Sequence, residues 1–146
     1  MITVERSAEK IMYDDAVKAF PDECCGFMYG HEDAAGNRMV TQALPINNAA
    51  VENRKRRFEI APKDYMKGER HAVENDLQLL GIYHSHPNHP AIPSEHDRVA
   101  AQPFFSYVII STESDGVKNT RSWVLNSDSQ FDEEEYTNEL TNSNKI

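Results

Sequence analysis

The chain has 146 residues, 39% of them hydrophobic and 27% charged, which suits one compact domain with a core and is too apolar for wholesale disorder. Fifteen Lys and Arg against 24 Asp and Glu give a formal charge of −9, which argues against nonspecific attraction to nucleic acid or to an anionic membrane surface. No apolar run approaches the roughly 20 residues needed to span a bilayer, and the opening residues lack a secretory pattern, so a soluble cytoplasmic protein is expected.

In chain order, Ser7 to Phe20 reads as a helix. Ser7 can cap it, Tyr13, Val17 and Phe20 recur on one face, and Pro21 stops it. Cys25 to His31 reads as a strand, Ala35-Gly36-Asn37 as a turn, and Arg38 to Ile46 as the returning strand. The adjacent thiols Cys24 and Cys25 can bridge each other only with strain, so they are expected to be reduced and partly buried. Asn47 to Asn53 is loop-like and leads into Arg54-Lys55-Arg56-Arg57, the one basic run, followed by a short strand candidate at Phe58-Glu59-Ile60. A second helix is expected from Lys63 to about Asn75.

Leu79 to His86 is a strand whose period of two puts Leu80, Ile82, His84 and His86 on one face. Pro87, Pro90 and Pro93 then force an irregular loop, and Ser94 to Ala101 is a helix entered through Ser94. Phe104 to Ser111 and Thr120 to Leu125 are strands joined by the turn-rich Glu113-Ser114-Asp115-Gly116. Strands alternating with helices imply an α/β domain around a mixed sheet. The composition shifts at Ser127: six acids against one lysine leave the segment to Ile146 at −5, and a solvated, partly disordered tail or an edge element is expected there.

Two histidines at i and i+2 on a strand project side by side, the prolines return the chain, and Asp97 in the next helix can offer a carboxylate to the same point. Two imidazoles and one carboxylate leave a tetrahedral zinc one open position, the arrangement of a catalytic site. Ser94 and Asp97 also stand at the spacing of a capping box, which alone would account for both. His89 and His96 lie close by in the sequence but off the strand face of His84 and His86, so loop or surface roles are expected for them.

The whole pattern, His84-x-His86, seven residues, Ser94, two residues, Asp97, resembles the signature of the JAMM (MPN-plus) zinc metalloprotease family. Pro21-Asp22-Glu23-Cys24-Cys25-Gly26-Phe27-Met28-Tyr29-Gly30 resembles the glutamate-bearing segment near that family's first long strand, and the resemblance runs over about residues 5 to 126. It implies a single-domain MPN/JAMM fold with a cytidine-deaminase-like layout, a mixed sheet flanked by helices, over residues 1–126, with residues 127–146 as a tail. It implies one zinc held by His84, His86 and Asp97, Glu23 as general base, and Ser94 as a donor to the oxyanion of the tetrahedral intermediate. Mixed imidazole and carboxylate donors suit zinc better than Mg²⁺ or Ca²⁺.

The implied reaction is hydrolysis of a peptide or isopeptide bond after the Gly-Gly tail of a ubiquitin-like or ThiS/MoaD-type sulfur-carrier protein. The alternative is a catalytically silent interaction module of the same fold. The segment Asn47 to Phe58 lies where members of the family have substrate-contacting loops, and its basic run can meet an acidic partner or simply be solvated. A third reading is a zinc hydrolase of another kind, such as a nucleoside deaminase; that chemistry wants His-x-Glu with a later Pro-Cys-x-x-Cys, and the chain contains neither.

Overall fold

A computed structural model describes residues 1–138. The elements are β1 (Ile2–Val4), α1 (Arg6–Ala19), β2 (Cys25–Glu32), β3 (Arg38–Ile46), α2 (Pro62–Glu74), β4 (Gln78–Pro87), α3 (Glu95–Ala100), β5 (Ser106–Glu113), β6 (Gly116–Leu125), β7 (Phe131–Glu134) and β8 (Tyr136–Asn138). All eight strands form one mixed sheet in the order β7-β6-β5-β4-β2-β3-β1-β8. No helix among the described residues is long and apolar enough to cross a membrane.

The sheet has one helix on each face. Helix α1 buries Ala8, Met12 and Ala16, an i, i+4, i+8 stripe, against Ile2, Val4, Met28, Val40, Val108 and Ile110. Two alanines in that stripe let the helix lie close to the strands. Tyr13 is only partly buried and Val17 is 51% exposed, so the expected Tyr13–Val17–Phe20 face is displaced by about one residue around the helix. Ser7 lies inside the helix; Glu5 occupies the N-cap position and makes no side-chain cap bond. On the other face, Phe27, Tyr29, Ile82, Ala72, Phe105 and Tyr107 form a second core around α2.

Strand β4 is central, antiparallel to β2 and parallel to β5, with both faces covered. Its pairing with β2 slips between Leu79 and Gly81, where Met28 faces Gly81 but Tyr29 faces Leu79. This bulge inverts the alternation. Leu80 points into the α1 core, whereas Ile82 packs in the α2 core, so the expectation that Leu80 shares a face with Ile82, His84 and His86 is corrected. The segment Phe58-Glu59-Ile60 is not a strand. It is tied down instead by a bond from Ala49 N–H to the Glu59 carbonyl and by the Asn48 side chain.

The acidic segment beyond Leu125 departs from a solvated tail over its described part. Strand β7 pairs antiparallel with β6, and after Glu135 the chain pairs in parallel with β1 as β8. The two edge strands of the sheet are thus consecutive in sequence. Ile2 N–H donates to the Glu135 carbonyl (2.9 Å), and Tyr136 OH donates to Glu9 of α1 (2.5 Å). The expectation for residues 139–146 lies outside the described residues.

Candidate metal centre

Local structure delivers each group to one point at the end of β4. The register pairs Cys25 with His84, so Glu23 stands just beyond the start of β2, level with the two histidines. Its backbone is fixed on both sides: Glu23 N–H donates to the Arg54 carbonyl (2.7 Å), and Asn48 Nδ2 donates to the Glu23 carbonyl (3.1 Å). Next along, Cys24 N–H donates to Ser85 Oγ (2.8 Å), locking this segment to β4. Alternation turns Tyr83 and Ser85 toward α1 and leaves His84 and His86 on the opposite face.

Helix α3 brings in the carboxylate. Ser94 is its N-cap: Asp97 N–H donates to Ser94 Oγ (3.1 Å), and Ser94 N–H donates back to Asp97 Oδ2 (2.9 Å). The capping box and the metal reading therefore coexist, because one oxygen of Asp97 closes the box while the carboxylate also faces the histidines. His86 Nε2 lies 3.0 Å from Asp97 Oδ2, and His84 Nε2 lies 3.7 Å from Asp97 Oδ1.

Glu23, His84, His86 and Asp97 are each no more than 6% exposed. Glu23, His84 and His86 place one donor atom each within 4.8 Å of one another, and His84 Nδ1 is 3.5 Å from Glu23 Oε1. Both nitrogens of His84 and Oε1 of Glu23 are buried without a hydrogen bond. Unmet polar atoms of this kind cost free energy, and a cation can meet Glu23 Oε1 and one of the two diverging ring nitrogens of His84. The donor set thus fits a metal ion.

The electrostatics couple the same groups. Burial alone would raise the Asp97 carboxyl, but the charge of His84, the bond from His86 and the Ser94 N–H overcome it and hold the group well below the usual carboxylate range. Burial pushes His84 down, while Asp97 and Glu23 outweigh it and raise the imidazole.

Three features of the centre carry no sequence signal of their own. Phe58 stacks on His84, with ring centroids 4.5 Å apart and planes 28° from parallel. Asn48 binds the Glu23 and Arg57 carbonyls and accepts from Ala50 N–H and Glu59 N–H, using both ends of its amide. His86 Nδ1 donates to the Pro90 carbonyl (2.8 Å). Neither His89 nor His96 joins the cluster; His96 lines a cavity of about 340 Å³ with Phe58, Tyr65, His84 and Tyr107. His89 lines a second cavity, of about 310 Å³, with Glu23, Arg56, His86 and Ser94. The centre therefore opens on two sides.

Comparison with known proteins agrees with this geometry. Residues 5–126 match the family described as prokaryotic homologs of the JAB domain. The chain is 35% identical over 104 residues to a desampylase of Haloferax volcanii, spanning 70% of each chain. It is 36% identical over 84 residues to a probable TtuB-protein conjugate cleaving protease of Thermus thermophilus, spanning 58% of this chain and 55% of that one. Its fold is similar to that of protein DSY2949 from Desulfitobacterium hafniense, with a TM-score of 0.82, 32% identity and coverage of 94% and 92%. A buried cluster of two imidazoles and two carboxylates on this sheet, with a family match over most of the chain, makes the protein a member of the prokaryotic JAB-domain family.

Proposed function

We propose that the protein is a zinc metalloprotease that hydrolyses the peptide or isopeptide bond after the C-terminal tail of a ubiquitin-like or sulfur-carrier β-grasp protein. The observation that carries this reading is the convergence of two buried imidazoles and two buried carboxylates, with three polar atoms left without a hydrogen bond, beside two cavities. The names of the desampylase and conjugate-cleaving relatives support the substrate class. The free, buried thiols fit a reducing cytoplasm. Residues 1–126 hold every proposed site residue and form the catalytic unit.

One zinc per chain would be held by His84, His86 and Asp97; when bound, it supplies Lewis acidity that makes water a nucleophile near neutral pH. The chain's own groups do the rest. Glu23, poised beside His84, takes the proton from the attacking water and delivers it to the leaving amine. Ser94 Oγ accepts from Asp97 N–H, which leaves its hydroxyl hydrogen to donate to the oxyanion. Phe58 shields one face of His84 from water. The extended tail is expected to be gripped in the cavities flanking the centre.

The test is cleavage of a sulfur-carrier fusion in which Gly-Gly is followed by a short peptide, alongside a lysine-linked conjugate of the same carrier. Zinc-loaded protein should cleave at least one, chelation should stop it, and His84→Ala should lose both metal and activity. Absence of zinc by elemental analysis, with melting unchanged by added zinc, would overturn the reading.

A further inference from the structure

Three successive carbonyls in the proline loop after β4 each accept a side-chain hydrogen bond from a different strand. Ser111 Oγ on β5 donates to His89 O (2.5 Å), His86 Nδ1 on β4 donates to Pro90 O (2.8 Å), and Trp123 Nε1 on β6 donates to Ala91 O (3.0 Å). The middle bond is the chemically consequential one. A carbonyl oxygen only accepts, so His86 Nδ1 carries a hydrogen, and Nε2 is the ring nitrogen left to hold a metal. Nε2 is the nitrogen that faces Asp97.

The loop that carries the Pro90 carbonyl is held from the neighbouring strands as well as by its own main chain. Pro90 and Pro93 remove two backbone donors from the loop, which limits how far it can be held by its own main chain. Ser111 is the β5 residue in register with His86, and Trp123 reaches in from the neighbouring strand to the buried Ala91. We propose that Ser111 and Trp123 are positioning residues for His86: by pinning the carbonyls on either side of Pro90, they fix the acceptor that sets the tautomer and aim of this metal ligand. The proposal rests on the reading that His86 holds the metal. Partners one step behind a ligand commonly contribute about 10- to 100-fold in metal affinity.

The experiment measures zinc affinity of the apo-protein by competition with a chromophoric chelator, with ¹⁵N NMR of the His86 ring in the zinc-loaded form. Ser111→Ala and Trp123→Phe should each weaken zinc binding about 10-fold or more and erode the Nδ1–H signal, whereas Ser111→Thr, which keeps the donor, should stay within about threefold of the parent. Apo-protein melting separates this from unfolding, and if Trp123→Phe does not fold, the Ser111→Ala and Ser111→Thr pair decides alone. Ser111→Ala binding zinc within about twofold of the parent, with the Nδ1–H signal intact, overturns the proposal. His86→Ala separates the two failures: if it too binds zinc normally, the metal assignment is what fails.

Discussion

Glu23 is the site residue whose role depends least on local pattern: an acid at a helix–strand junction is ordinarily solvated, yet here it is 4% exposed and faces His84. Its sequence neighbourhood showed where the chain would turn, but the bonds that fix its backbone come from Arg54 and Asn48, 31 and 25 residues away, and no spacing rule reaches that far. His84, His86, Ser94 and Asp97 were legible because strand period and capping geometry are local. Glu23→Gln should keep zinc and fold, and lower turnover about 10²- to 10⁴-fold. Zinc content by elemental analysis alongside initial rates checks it; loss of zinc would make Glu23 a ligand and reopen the role of Asp97. The two thiols give a contrasting prediction. Burial, then the charges of Asp15 and Glu23, push Cys25 up to about 12, and burial raises Cys24 as well. A folded-state value above the unfolded value near 8.5 means that the contribution is complete below about pH 8.5 and is lost as pH rises toward 12. Between pH 9 and 12 the denaturation midpoint should therefore fall more steeply for the parent than for Cys24→Ala/Cys25→Ala. That variant should still hydrolyse substrate, since no thiolate is used.

At the scale of elements, the central strand shows where alternation succeeds and where it fails. From Ile82 to His86 the period of two holds, because pairing with β2 as far as His84 and with β5 throughout is regular there. At Leu80 it fails, because the extra residue of the bulge is absorbed by backbone pairing that leaves no trace in the hydrophobic pattern. Gly81 sits at that point. A Cβ on it would stand 2.0 Å from the Ser106 carbonyl oxygen of β5, so the parallel pair that sets the height of both histidines can form only with glycine. Gly81→Ala should lower stability by about 1–3 kcal/mol or more and weaken zinc binding with it. Chemical denaturation and chelator competition on the same sample check both; unchanged values would show that β5 yields easily. Phe58-Glu59-Ile60 fails for a related reason: its alternation is real, but its partners are the Asn48 side chain and a single backbone bond, not a strand.

At the scale of the molecule, composition alone made the segment after Leu125 look solvated, since its acids outnumber its apolar residues. Several of the described acids turn out to be placed. Glu134 accepts from Ser122 Oγ (2.7 Å), Glu133 pairs with Arg121 (2.9 Å), and Thr137 Oγ1 meets Thr3 Oγ1 (2.8 Å). Truncation after Asn126 removes the covering strands from β6 and β1 and bares both edges. The melting temperature should fall by about 5 °C or more, and light scattering should show association that grows with concentration. A truncated monomer with unchanged melting would mean that the two strands cover little of consequence. The same closure has a temporal side. A chain is made from its N-terminus at about 5–20 residues per second, so β1 and β3 exist long before the strand that completes their flank. Roughly 90 residues separate Ile46 from Tyr136, and β1 must keep its outer edge open for ~5–20 s of every round of synthesis. In that interval the nascent chain is exposed to pairing with its neighbours on the same messenger. Slow codons placed between Ile46 and Tyr136 should raise the insoluble fraction, whereas the same codons before Arg38 should not, because at that stage β3 has yet to be made.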